Sequence, residues 1–141
     1  MKKEAEIEKI LEYPIEQVWE IFTNREDYSW RNEVIDFVKT SEKTFKETNS
    51  NNLTTEYKIL TLKPMEFFEI EMKNKIIEGV FSIVFIKLGE RSTKVRLKQV
   101  NSYKNKLVYL ANSFFLNLEK VLNLYIFQVE NELKKRNITI K

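Results

Sequence analysis

The sequence predicts an α+β domain of two layers, and three observations predict it. Between residues 33 and 102, apolar and polar residues alternate with the period of a β-strand. The links between these runs are short, so successive strands pair as antiparallel hairpins. The chain then ends on a run with helical spacing, the only element able to cover the inner face of such a sheet. With 141 residues, 43% of them hydrophobic, the chain is long enough for one real core. Only two Gly and two Pro are present, and neither a linker nor a repeat appears, so 1–141 reads as a single domain.

Residues 4–12 read as a first strand, with Ile7, Ile10 and Leu11 as its apolar content. Tyr13-Pro14 ends it. Pro14 fixes φ and lacks a donor, which suits the start of a helix. Ile15, Val18, Trp19 and Phe22 then recur at helical spacing, with Glu16 and Glu20 on the other face, so a short helix spans 15–23. Asn24 caps a second short helix running through Glu26, Asp27, Tyr28, Ser29 and Trp30, whose acidic start complements the helix dipole.

Six strands follow, at 33–40, 43–49, 52–61, 66–74, 77–88 and 91–101. A long helix covers 107–136, with an interruption near Asn112-Ser113. Phe114, Leu118, Val121, Leu122, Tyr125 and Val129 form its apolar stripe. Lys134, Lys135 and Arg136 sit favourably at its C-terminal end. The tail 138–141 is expected to be loose. The whole is a curved antiparallel sheet of about seven strands around a long C-terminal helix, with two short helices between strands 1 and 2.

Composition excludes much chemistry. Cysteine and histidine are both absent. Disulfides, thiolate or imidazole catalysis, zinc held by Cys or His, and haem held by His are therefore ruled out. We expect no metal, no cofactor and no catalytic residue that singles itself out. The balance of 24 basic against 21 acidic residues is too even for a nucleic-acid binder. The row Lys94, Arg96, Lys98 reads as a solvated strand face. The start of the chain turns acidic before any apolar run, and no uncharged apolar stretch approaches the length of a membrane span. We expect a cytoplasmic protein without integral membrane contact.

Alternation also says which residues face the long helix. Thr55, Tyr57 and Ile59 share one strand face. Phe68, Ile70 and Met72 share the next, followed by Phe81, Ile83 and Phe85. Thr93, Val95, Leu97 and Gln99 share the last. Phe114, Leu118, Leu122 and Tyr125 close the space from the helix side, and Trp30 can seal one end. These residues describe either a filled core or an aromatic chamber with a few polar groups, of the kind that holds small molecules. Arg31 reads either as an anion anchor at the chamber mouth or as the partner of a surface carboxylate. Glu47 shares the face of Phe45. Buried, it would have a raised pKa and could act as acid or base; the plainer expectation puts it at the rim with ordinary chemistry.

Two surfaces carry excess apolar residues. One is the second face of strand 77–88, with Val80, Val84, Ile86 and Leu88. The other is the side of the long helix bearing Phe115, Leu116, Leu124 and Phe127. One of them is expected to be a homodimer contact.

The opening Tyr13-Pro14-Ile15-Glu16-Gln17-Val18-Trp19, the later Tyr28-Ser29-Trp30-Arg31, the Glu78-Gly79-Val80-Phe81 segment and the hairpin Gly89-Glu90-Arg91-Ser92-Thr93-Lys94-Val95 come in a suggestive order. Together they resemble the START-like, helix-grip domains, also called the SRPBCC or polyketide cyclase/dehydrase group, which includes the birch pollen allergen type. The hairpin departs from the family pattern by two extra residues before Thr93. The resemblance covers essentially the whole chain and is closest to small bacterial members. It implies a helix-grip fold whose cavity binds a hydrophobic or amphipathic small molecule, lipid or polyketide-like. Two alternatives come with it. One is a cyclase- or dehydratase-type enzyme using Glu47, Tyr57, Gln99 or Tyr125 without His, Cys or metal. The other is an interaction or stress-response protein with an incidental cavity.

Overall fold

A computed structural model describes residues 2–107 and 117–139. Its strands are β1 (Lys2–Leu11), β2 (Val34–Lys39), β3 (Thr44–Asn49), β4 (Thr54–Lys63), β5 (Phe67–Lys73), β6 (Ile77–Gly89) and β7 (Ser92–Tyr103). Each lies within two residues of the span that alternation predicts. They form one antiparallel sheet in the order β1-β7-β6-β5-β4-β3-β2. The meander thus runs in sequence from β2 to β7, and β1 closes on β7 with Lys2 opposite Ser102 and Leu11 opposite Thr93. Register shifts between Val34 and Asp36, Ile59 and Thr61, and Lys87 and Gly89 bend the strands. Such irregularities increase twist and let a sheet curl around a helix.

Helix α1 (Ile15–Thr23) follows β1. Pro14 precedes its first turn, and its carbonyl accepts from the N–H groups of Gln17 and Val18. The buried face of α1 is Ile15, Val18, Ile21 and Phe22, as helical spacing requires. The predicted second short helix does not form. Residues 24–33 are turns, with Tyr28 N–H bonded to the Glu26 carbonyl and Arg31 N–H to that of Tyr28. The reason is visible in the side chains. Arg31 Nη2 donates to the Arg25 carbonyl at 3.2 Å, the acceptor that a helix would need for the Ser29 N–H. Ser29 Oγ instead donates to Asp27 Oδ1. Side-chain bonds of this kind compete with helix formation.

Helix α2 (Leu118–Thr139) is the covering element. Of the predicted helix 107–136, residues 108–116 lie outside the described residues, as do the expected interruption near Asn112-Ser113 and the side chains of Phe114, Phe115 and Leu116. At the other end, the expected loose tail is partly helical, because α2 continues through Ile138 and Thr139. Asn137 Nδ2 donates to the Leu133 carbonyl and to Gln17 Oε1 on α1, tying the last turn down.

The core is solid at one end. Val129 and Leu133 of α2 meet Ile15, Val18, Ile21 and Phe22 of α1 and the inward residues Phe68, Ile83, Phe85, Val95 and Leu97 of the sheet. Trp19 sets its ring edge-on against Phe85 and Phe68, at 5.0 and 6.4 Å. The outer face is ordered by charge: Arg96 pairs with Glu8 at 2.8 Å and Lys98 with Glu4 at 3.7 Å. The cationic row of β7 therefore lies beside an acidic row of β1.

Candidate functional site

Away from α1, the space between sheet and helix is hollow. A cavity of about 380 Å³ lies there, beneath the first half of α2. The inward alternation of four strands positions its wall: Thr55 and Tyr57 on β4, Ile70 and Met72 on β5, Phe81 on β6 and Gln99 on β7. Leu122 and Tyr125 of α2 form the opposite wall, and Val121, Leu124, Gln128, Glu33 and Asn49 lie toward its exposed side. A cavity of about 150 Å³ holds benzene, so this one has room for a considerably larger apolar body.

Of the residues predicted to line a chamber, Thr55, Tyr57, Ile70, Met72, Phe81, Gln99, Leu122 and Tyr125 do line it. Phe68, Ile83, Phe85, Val95 and Leu97 do not, because they pack in the solid core with α1 and the later turns of α2. Ile59 packs against the edge of that solid core, and Leu118 is buried at the start of α2. Trp30 stands behind the wall, its ring stacked on Tyr125 at 5.9 Å and nearly parallel. Phe114 lies outside the described residues. Alternation assigns a residue to a face, but what fills the space opposite depends on an element elsewhere in the chain.

At one side of the cavity is a charged cluster. Glu47 on β3 is buried, with its side chain 6% exposed. Arg31 holds it with two hydrogen bonds, Nη1 to Oε1 at 3.0 Å and Nη2 to Oε2 at 2.8 Å. Arg25 Nη2 reaches the same Oε1 at 3.4 Å, and Arg25 Nη1 donates to the Tyr125 hydroxyl at 3.0 Å. The Arg25 guanidinium lies over the Tyr57 ring, 5.6 Å from its centre, and Arg31 lies over Trp30 at 5.8 Å. The irregular segment between α1 and β2 delivers both arginines to one carboxylate.

These contacts set the charges. Burial pushes the Glu47 carboxyl up, but the Arg25 charge and the Arg31 hydrogen bonds outweigh it and hold the group below the ordinary carboxylate value. Burial likewise opposes the charge of Arg25, and the surrounding Tyr125, Glu47 and Tyr57 oxygens more than offset it, so Arg25 stays a cation. Burial and the nearby Glu47 charge push the Tyr57 phenol up to about 12, so it keeps its proton at neutral pH. Glu47 therefore departs from both readings of the sequence: it is buried rather than at the rim, and its pKa falls rather than rises. Arg31 is neither a free anchor at the mouth nor the partner of a surface carboxylate: it is buried, and both its Nη atoms are committed to the buried Glu47. Arg25 was not anticipated at all. The available signal was an inward-facing Glu in a strand, which demands a buried cation.

Gln99 points inward, where its Nε2 donates to Asn101 Oδ1 at 2.6 Å and contacts Met72 Sδ at 3.3 Å. Gly79 on β6 makes room for them: a Cβ there would lie 2.5 Å from Asn101 Oδ1 and 3.0 Å from the Val100 carbonyl oxygen. Among the described residues, no group of acidic side chains could hold a metal ion, and no helix is long and apolar enough to cross a membrane.

No protein-family model matches the sequence, and no curated protein matches it. Solved structures do match the fold over almost the whole chain. An aromatase/cyclase from a Streptomyces species superposes with a TM-score of 0.77 at 11% identity, covering 96% of each chain. A START superfamily protein from Mycobacterium smegmatis gives 0.74 at 11%, covering 94% of this chain and 97% of that one. Norcoclaurine synthase from Thalictrum flavum, in complex with dopamine and hydroxybenzaldehyde, gives 0.71 at 8%, covering 96% and 88%. The chain has the START-like, helix-grip fold.

Proposed function

We propose that this START-like domain binds a hydrophobic or amphipathic small molecule, lipid or polyketide-like, in the cavity beneath α2. The observation that carries the reading is the division of the interior. The α1 end of the interior is filled by side chains, and the other end is not. The other end keeps about 380 Å³ between apolar and aromatic side chains, with the Arg25–Arg31–Glu47 cluster at one side and polar groups such as Thr55, Tyr57 and Gln99 along the wall. That combination is characteristic of ligand pockets. Similar folds in an aromatase/cyclase and in a synthase bound to two small aromatic molecules support the same reading.

Native mass spectrometry of freshly purified protein, followed by denaturing release, tests it. A retained small molecule, or a rise in melting temperature with members of a lipid panel, is the expected result. An empty protein whose melting temperature no lipid or polyketide-like compound moves would overturn it. We place the protein in the cytoplasm and assign a homodimer contact to the exposed Leu124 and Phe127 side of α2; the same spectrum reports a strictly monomeric mass if that contact is wrong.

A cyclase- or dehydratase-type enzyme is the second reading. Two phenols favour it, Tyr57 and Tyr125, which sit on the wall beside the Arg25 cation. A protonated phenol next to a fixed positive charge can polarise a carbonyl oxygen. Glu47 takes no part as a proton carrier, because both its oxygens are held by arginines.

A further inference from the structure

The charged cluster does not balance. Arg25 and Arg31 bring two positive charges, and Glu47 brings one negative charge. Arg31 and Glu47 satisfy one another through paired hydrogen bonds, and Arg31 Nη2 also holds the Arg25 carbonyl. The surplus charge therefore belongs to Arg25. Its side chain is only 10% exposed and lies on the cavity wall. An arginine has five N–H donors. The protein takes one on Nη1, for Tyr125, and one on Nη2, through the long 3.4 Å contact to Glu47. Nε is buried, with no partner among the described residues. A buried cation with unused donors is costly unless something else accepts from it. Glu33, also on the lining, is exposed and accepts from Gln128 Nε2 at 3.3 Å, and among the described residues no hydrogen bond or ion pair joins it to Arg25.

Two further donors are at hand. The Tyr125 oxygen accepts from Arg25, and a phenol hydroxyl is also a donor. Tyr57 lines the cavity and stays protonated, and its hydroxyl makes no hydrogen bond among the described residues. Ile70, Met72, Phe81 and Leu122 form an apolar stretch of the wall, with Thr55 and Gln99 beside it.

We propose that the ligand is an amphipathic monocarboxylate, whose carboxylate docks on Arg25 while its apolar body lies against Met72, Phe81 and Leu122. This rests on the cavity being a small-molecule site and adds the ligand's charge. Within the buried cluster a single surplus positive charge matches a monoanion better than a phosphate monoester dianion. An uncharged lipid would leave Arg25 uncompensated, and a cationic one would be repelled by it.

The test compares octanoate, 1-octanol and octylamine, which share a chain and differ in head charge, by calorimetric titration at neutral pH and low salt. Octanoate should bind roughly tenfold or more tightly than octanol, the advantage expected of a charge-assisted hydrogen bond. Octylamine should bind least. In the Arg25→Gln variant the ratio of octanoate to octanol affinity should fall to about one. That variant leaves the Arg31–Glu47 pair intact and neutral. For the unaltered protein the same ratio should fall as the pH drops below the pKa of octanoate. Octanol binding as tightly as octanoate would overturn the monocarboxylate while leaving the cavity a ligand site. Binding of none of the three, here and in the wider lipid panel, would overturn both.

Discussion

Arg31 and Glu47, sixteen residues apart in sequence, face one another through hydrogen bonds of 3.0 and 2.8 Å with both side chains almost wholly buried. Arg25 adds a second cation to the same carboxylate. Taking charges out of water is expensive, and only good geometry recovers the cost. The cluster therefore behaves asymmetrically when its members are removed one at a time.

Glu47→Gln should be the most damaging of the three single changes. It leaves two guanidiniums buried against a neutral amide, a loss of about 3–5 kcal/mol. Arg31→Met should cost less, because Glu47 keeps Arg25. Arg25→Gln should cost least, because what remains is a neutral, doubly hydrogen-bonded pair. Urea midpoints of the three variants give the ranking directly. Arg25→Gln emerging as the costliest would mean that Arg25, not Arg31, is the structural partner of Glu47.

Acid should attack the same cluster. The Glu47 carboxyl is held below its ordinary value in the folded protein, so the unfolded chain binds its proton more readily. Stability then rises with pH, is fully present above about 4.5, and is lost as the pH falls through the folded value. The urea midpoint of the unaltered protein should decline below that point more steeply than that of Glu47→Gln. Parallel declines would show that other carboxylates carry the acid sensitivity.

The alternating strands were legible in the sequence because one face of every inner strand must be apolar and a slip of one residue would turn it to water. Helix α1 was legible for the same reason, in a 3.6-residue period. The site was half legible. Tyr57, Met72, Phe81 and Gln99 could be placed on the inner face, but whether they met a void or a side chain depended on how far α1 reaches along the sheet. Arg25 was hidden because its segment reads as an acidic helical turn, and the bond that prevents the turn, from Arg31 to the Arg25 carbonyl, is tertiary. Glu47 was seen to face inward, yet its charge state could not follow from its own strand, since the arginines that fix it arrive from another element.

Gly79 is a packing requirement rather than a turn. In Gly79→Ala the new methyl would press on the Asn101 amide and on the Val100 carbonyl. Overpacking of this kind costs about 1–3 kcal/mol. Adding Asn101→Ala to it should recover part of the loss, because the nearest obstructing atom is then gone. The backbone carbonyl, 3.0 Å from the added carbon, prevents full recovery. A double variant no more stable than Gly79→Ala alone would place the whole strain on the backbone.

Phe68 and Met72 lie on the same face of the same strand, four residues apart, and should respond differently to truncation. Phe68 is fully buried in the solid end, touched by the Trp19 ring. Replacing it by Ala opens a new void and should cost about 3–5 kcal/mol. Met72 already borders the cavity and is only half-buried. Its truncation enlarges a space that exists and removes fewer packed neighbours, so the loss should fall at or below about 2 kcal/mol, the lower end for such substitutions. Met72→Ala should also admit a longer acyl chain than the unaltered protein does, whereas Phe68→Ala should leave chain-length preference where it was. Equal destabilisation by the two variants, with no change in chain-length preference, would mean that the space beside Met72 is packed in solution and that the interior has no hollow end.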